Sequence, residues 1–183
     1  AKIKALMKDI KAEKDKIYNV VSYFPKRRVA DPITLYPIVK VDKDHQTVSL
    51  EFVACYSDSH VSTSVPMFSM SSGSAQWINF DTVSVRADDR VSVVKYDITK
   101  SIRNAVVNPS FATWLVAAAS STIMEQYIEE MDQDAFMAFA SIAHAEEVTI
   151  RFSGKEYECT DKMGKRCQRA TKQLYELYQI LLQ

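Results

Sequence analysis

The spacing of apolar side chains changes several times along this chain, and the first segment has helical spacing. Apolar residues recur every three or four positions from residue 1 to 24, which predicts an amphipathic N-terminal helix that ends at Pro25. Lysines occupy most of the polar positions. The stripe weakens at residues 13 and 14, which leaves the first half of the helix free to protrude from the domain. Its members are Ile3, Leu6, Met7, Ile10, Ile17, Val20, Val21 and Phe24.

The spacing then changes to two, and alternating apolar positions predict three β-hairpins. Turn residues separate the paired strands, Asp88–Asp89 in the second hairpin and Ser153–Gly154 in the third. In the second hairpin the apolar phase shifts between Phe80 and Val83, which indicates a β-bulge. The predicted strand pairs are 33–41 with 47–56, 77–87 with 90–98, and 147–153 with 155–159.

Helical spacing returns in a predicted central helix pair and at the C-terminus. A helical stripe runs from Asn108 to Met131, and Asp132 is placed to cap a short second helix that reaches Ala143. Asp161 is placed to cap a closing amphipathic helix. Because strands cluster instead of alternating singly with helices, the order predicts an α+β fold with a mostly antiparallel sheet. Residues 25–183 are expected to form a single α+β domain behind the N-terminal helix.

Composition excludes several classes of function. Lysine plus arginine equals aspartate plus glutamate at 23 each, so the chain lacks the basic excess that nucleic-acid binding requires. No apolar run approaches the roughly 18 residues that span a bilayer. The chain has three glycines, at positions that match no phosphate-binding loop, and we expect no cofactor.

The cysteines and histidines do not form a metal-binding pattern. Three cysteines are an odd number, and none has zinc-type spacing. Cys159 and Cys167 lie eight positions apart, so a disulfide and two unpaired thiols both fit the sequence. The three histidines are scattered, which is typical of single solvated side chains, and we expect no metal site.

A serine-rich tract, "VSTSVPMFSMSSGSAQWINFD" at residues 61–81, holds the candidate chemistry. A hydrolase built here would use Ser72 or Ser74 as nucleophile, His60 or His144 as base, and Asp58, Asp81 or Glu147 as acid. The nucleophile-elbow motif GxSxG is absent, and serine-rich connections are more often solvated loops.

The alternative interpretation of this tract is a binding loop, spanning residues 57–76 between the first two hairpins. Loops of this length without secondary structure are uncommon and are often functional. Three apolar side chains in and beside the loop are candidate contacts with a partner: Met67, Phe68 and Trp77.

The overall layout, with its basic amphipathic start, the Trp77 strand and the "VTIRFSGK" hairpin, resembles that of small exported bacterial domains. The start at Ala1 fits either removal of a leader peptide or a trimmed tag. We therefore predict a non-enzymatic exported or cell-envelope domain that binds a protein or a small ligand, with the hydrolase as the alternative. Helix 1–24 is a candidate for a peripheral membrane tether or for self-association.

Overall fold

The computed structural model describes residues 6–26, 32–64, 76–113 and 116–183, and the side chains of these residues except those of 60–64, 106–113 and 116–121. Within these ranges the chain forms ten β-strands in two antiparallel sheets, two α-helices and one 3₁₀ helix. The predicted α+β class is confirmed. The strands are β1 Ile10–Asp15, β2 Val20–Pro25, β3 Ile33–Asp42, β4 Thr47–Ser64, β5 Thr82–Ala87, β6 Arg90–Lys95, β7 Ile102–Thr113, β8 Val116–Glu130, β9 Val148–Ser153 and β10 Glu158–Lys162. The helices are α1 Gln133–His144 and α2 Lys165–Leu181, and the 3₁₀ helix is Ile98–Lys100.

The two sheets have different strand orders. The larger sheet has the order β1-β2-β3-β4-β8-β7, and the smaller has the order β10-β9-β5-β6. All three predicted hairpins are confirmed as the antiparallel pairs β3–β4, β5–β6 and β9–β10. Alternation predicts them best where one face of the strand is buried, as in β5 and β9, since apolar and polar residues then alternate.

The predicted N-terminal helix is wrong, because residues 10–25 form the hairpin β1–β2, with Ile10 opposite Pro25 and Asp15 opposite Val20. β2 also pairs with β3, which joins this hairpin to the larger sheet. β1 is an edge strand that buries only Ile10, so alternation does not appear there. Ile17, a member of the predicted stripe, is 86% exposed in the turn. The helical spacing is therefore a coincidence of two strands and a turn.

The first helix of the predicted central pair is also wrong. Residues 108–131 contribute to β7 and β8 instead, and β8 lies between β4 and β7. The inward positions of β8 are Ile123, Glu125 and Tyr127, so a buried carboxylate interrupts the apolar alternation. Pro109 lies in β7, an edge strand where proline is tolerated.

The second helix of that pair and the closing helix are confirmed as α1 and α2. Asp132 caps α1 as predicted, and its carboxylate accepts a hydrogen bond from Ala135 N at 2.8 Å. The predicted cap of α2 is wrong, since Gly164 rather than Asp161 is the N-cap residue and no side chain bonds to the cap.

The buried residues form two clusters. The first lies between the two sheets and includes Phe80, whose ring centroid is 4.4 Å from that of Phe152 and 4.8 Å from that of Tyr127. The second lies between α1, α2 and the β1–β4 part of the larger sheet, and Leu174 is buried in it. Met131 packs against both clusters and so links them.

Candidate functional site

Side chains of the larger sheet hold the segment 76–80 in place. Tyr56 Oη donates to Gln76 O at 3.0 Å, and Gln76 N donates to Asp58 Oδ2 at 3.0 Å. Tyr127 Oη donates to Phe80 O at 2.6 Å. The segment has no assigned secondary structure, so these side chains satisfy backbone groups that a strand ladder would otherwise satisfy.

Glu125 completes this network from a fully buried position. Its carboxylate accepts hydrogen bonds from the N–H groups of Asn79, at 2.9 Å, and Phe80, and its Oε1 lies 3.7 Å from Arg103 Nη2. Burial raises the pKa of Glu125 above its usual value, although the two N–H groups and Arg103 oppose this effect. The arrangement is that of a structural carboxylate.

The predicted bulge after Phe80 is wrong, because β5 begins only at Thr82. Asn79 instead has a left-handed backbone with φ of 52°, which turns the chain just before the strand. This single residue explains the phase shift in the sequence. The conformation is one that asparagine tolerates better than most residues.

Of the predicted catalytic residues, the structure describes His60 by its backbone alone and the others of its part of the chain in full: Asp58, Asp81, His144 and Glu147. Asp81 accepts a hydrogen bond from the Thr82 hydroxyl at 2.9 Å, and its backbone bonds to Ser153 and Tyr96. The backbone of His60 lies in β4 opposite Ser121. Ser72 and Ser74 lie outside the described residues.

The candidate binding loop 57–76 is shorter than predicted, because β4 continues to Ser64. Met67 and Phe68 lie outside the described residues. Trp77 is half-buried and packs against the cluster between the sheets, so the core covers part of its surface.

The cysteines of the predicted disulfide are both free thiols in the structure. Cys159 lies on β10, and Cys167 lies in the first turns of α2, where its Sγ donates to Leu35 O at 3.6 Å. Burial raises the pKa of Cys167 to about 11, so this thiol is protonated and unreactive near neutral pH.

A cleft of about 460 Å³ lies between β3, the β9–β10 hairpin and the start of α2. We call it the α2 cleft. Its apolar lining consists of buried residues from β3, β9 and the connection to α2: Ile33, Leu35, Ile150 and Met163. Lys162, Lys165 and Arg166 also line it, together with Asp161, Thr34, Gly164 and Cys167.

The cationic side chains at the α2 cleft are exposed, and two of the three have partners. Lys162 Nζ lies 3.6 Å from Glu147, and Lys165 Nζ donates to the backbone oxygen of Glu146 at 2.8 Å. Arg166 is exposed, and no described residue forms an ion pair with it. The first turn of α2 contains no acidic residue, which leaves the positive end of the helix dipole unbalanced.

Gly164 stands where neither backbone geometry nor packing requires glycine. Its φ of −60° and ψ of 136° are open to any residue, and a Cβ added there would meet no atom within 4 Å. Serine, threonine or aspartate would cap the helix better. Gly164 also lines the α2 cleft.

Sequence reasoning missed the α2 cleft because its lining comes from distant segments. One signal was present, the run "MGKRC" at 163–167, in which a glycine and two cations stand where helix starts usually carry a capping side chain and acids.

Neither a metal-binding cluster nor a membrane-spanning helix occurs in the part of the chain that the structure describes. No group of three or more histidine, cysteine or acidic side chains there could hold a metal ion. None of the helices there is long and apolar enough to cross a membrane. The sequence matches no protein-family model and no curated protein.

Proposed function

We propose that the protein is a binding domain whose α2 cleft holds a small molecule with an apolar body and one anionic group. The observation that carries the proposal is the cleft itself, which combines an apolar lining with cationic side chains beside it. A medium-chain carboxylate has this chemistry.

The size and lining of the cleft support a small ligand. Pockets for small molecules usually measure about 300–1,000 Å³ and are lined mostly by apolar groups with a few polar ones. The α2 cleft, at about 460 Å³, is within this range. Gly164 adds support, because it lines the cleft and a bulky side chain at this position would narrow it.

The charges support an anionic group on the ligand. Lys165 and Arg166 occupy the first turn of α2, where cations are unfavourable because the N-terminus of a helix carries a partial positive charge. A bound anion would relieve this repulsion and accept hydrogen bonds from free backbone N–H groups of the first turn.

Cys167 lines the cleft as a thiol that burial keeps protonated, so it is not a candidate nucleophile. The hydrolase alternative, with Ser72, Ser74 and His60, stays a prediction, because the structure does not describe the side chains that it requires. Export of the protein also stays a prediction, and fractionation of cells that produce the full-length protein would test it.

A fluorescence titration with anilinonaphthalene sulfonate, an apolar anion, tests the proposal, with decanoate as the competitor. We expect saturable binding that decanoate displaces, and we expect Gly164→Phe to weaken it by at least about tenfold because the ring fills the cleft. Arg166→Gln should weaken it about threefold to tenfold by removing one charge contact.

Gly164→Ser is the matched control, since its small side chain caps the helix and leaves most of the cleft open. Circular dichroism would verify that all variants fold. Equal binding by the parent and Gly164→Phe would place the probe elsewhere and overturn the proposal. Binding that decanoate fails to displace would overturn the carboxylate class.

A further inference from the structure

The turn between β1 and β2 exposes two large apolar side chains next to each other. Ile17 is 86% exposed and Tyr18 is 71% exposed, and they head the exposed large apolar residues of the described chain. We call residues 15–19 the β1–β2 tip. Single exposed apolar residues are ordinary, but an adjacent pair at a projecting turn offers a compact contact surface.

Hydrogen bonds fix the conformation of the β1–β2 tip. Asp15 Oδ1 accepts from Ile17 N at 2.8 Å and from Tyr18 N at 3.2 Å. Asn19 completes the turn with a left-handed φ of 50°. Ile17 and Tyr18 are therefore exposed on a turn whose conformation is fixed by hydrogen bonds.

The neighbouring β3–β4 turn supports the tip. Asn19 Nδ2 donates to Asp44 Oδ1 at 2.7 Å, and Lys43 N donates to Asn19 O at 3.3 Å. The two turns form one end of the larger sheet. Ile17 and Tyr18 project from that end without covering either core cluster.

Charges around the tip are divided between bonded acids and unpaired lysines. Asp15, Asp42 and Asp44 all accept hydrogen bonds from groups of the two turns. Three exposed lysines form no ion pair with any described residue: Lys14, Lys16 and Lys43. The donors in these hydrogen bonds are neutral backbone N–H and amide groups, so the three carboxylates keep their charge. The three lysines have no ion-pair partner among the described residues, and their ammonium groups are available to an anionic partner.

We propose that the β1–β2 tip attaches the protein peripherally to an anionic lipid surface. Ile17 would enter the boundary of the acyl chains, and Tyr18 would lie at the headgroup level, where its ring and hydroxyl have different preferences. The three lysines would contact lipid phosphates. A projecting apolar pair with lysines around it fits a lipid surface better than a deep protein pocket, whose walls would desolvate those lysines.

This proposal is independent of the α2 cleft, because it depends on different residues at a different place in the fold. It also replaces the tether predicted from helix 1–24, which depended on a helix that the structure does not contain. The lysines of that segment remain relevant, but they lie on a hairpin.

Vesicle co-sedimentation tests the proposal with the complete protein. We expect binding to phosphatidylglycerol–phosphatidylcholine vesicles, and the double variant Ile17→Ser, Tyr18→Ser should lower the partition coefficient by about tenfold or more. A variant with Lys14, Lys16 and Lys43 changed to glutamine should lose binding to these vesicles while leaving any weak binding to pure phosphatidylcholine unchanged.

Val91→Ser is the matched control, since Val91 is also exposed, at 64%, but lies on β6. The proposal is overturned if the parent does not sediment with anionic vesicles, or if Val91→Ser loses binding as strongly as the tip variant. Concentration-dependent self-association that the tip variant abolishes, without vesicle binding, would assign the tip to contacts between copies and would also overturn it.

Discussion

Glu125 shows how one buried carboxylate controls a whole segment of this protein. Its carboxylate accepts hydrogen bonds from the N–H groups of Asn79, at Oε2, and Phe80, which lie outside the strands. We expect Glu125→Ala to lower the free energy of unfolding by about 1–3 kcal/mol, because these N–H groups would be left unsatisfied in the interior. Glu125→Gln should cost less, since an amide oxygen can still accept from Asn79 N. Urea denaturation of both variants would measure this difference, and equal losses would contradict it.

The same residue predicts a pH dependence of stability. Burial raises the pKa of Glu125 in the folded state above its unfolded value near 4.5. The folded state therefore binds the proton more tightly, and the contribution of Glu125 to stability falls as pH rises from 4.5 through the raised pKa. In Glu125→Gln this decline should be absent. Urea titrations of both proteins from about pH 4 to about pH 8 would measure it, and parallel profiles would contradict the assignment.

Substitution by alanine should have different effects on stability at two glycines of this chain. A Cβ at Gly154 would overlap the backbone oxygen of Ile78 and lie 2.9 Å from that of Asn79. We expect Gly154→Ala to lower the free energy of unfolding by about 1–3 kcal/mol, because neither backbone oxygen can move easily. Gly164→Ala is the matched control and should change it by less than about 0.5 kcal/mol, since space around Gly164 is open. Thermal denaturation would compare the two, and a similar change in both would contradict the packing argument.

Most residues of the candidate site could not be predicted from the sequence. The cleft brings together Leu35, Ile150 and Met163, which are far apart along the chain, and their individual patterns indicate only burial. No sequence pattern indicates that Asp58 and Glu125 accept hydrogen bonds from a segment without secondary structure. Gly164 did carry a local signal, because the N-cap position of a helix prefers serine, threonine, aspartate or asparagine, whose side chains cap the helix.

At the scale of elements, the two helix starts provide a direct test of capping. Asp132 accepts from Ala135 N at 2.8 Å, whereas Asp161 accepts from Lys162 N within β10. We expect Asp132→Ala to lower the free energy of unfolding by about 1 kcal/mol, because a backbone donor at the start of α1 loses its partner. Asp161→Ala should change it by less than about 0.5 kcal/mol. Denaturant titrations would check both, and a larger loss in Asp161→Ala would contradict the start of α2 at Lys165.

Elements were predictable where burial on one face imposed a regular pattern. β9 alternates because one of its faces packs against the core, whereas β3 buries five consecutive residues from Ile33 to Pro37. β1 buries a single residue, and β8 buries Glu125 among apolar neighbours, so neither shows the alternation of a half-buried strand. Helical spacing in those segments therefore reflected chance positions of apolar residues.

At the scale of the whole molecule, Met131 packs against both core clusters and so links the cluster between the two sheets to the cluster under the helices. We expect Leu174→Ala, in the cluster under the helices, to lower the free energy of unfolding by about 2–5 kcal/mol by leaving a cavity. The fluorescence of Trp77, which reports on the other cluster, should shift its transition by the same amount as the far-ultraviolet ellipticity. A Trp114→Phe background would make Trp77 the sole tryptophan. Two separated transitions would contradict this coupling.

The place of β8 in the larger sheet has a consequence for the protein during its synthesis. β4 pairs with β8 from Glu51 opposite Glu130 to Ser64 opposite Ala117, so the centre of the sheet joins segments that are far apart in the chain. Such non-local pairing slows folding, since the loop must close before the contacts form. Until residues 116–130 leave the ribosome, β4 presents a long open edge to other nascent chains. Chaperone demand and aggregation in the cell should therefore depend on how quickly translation passes β8.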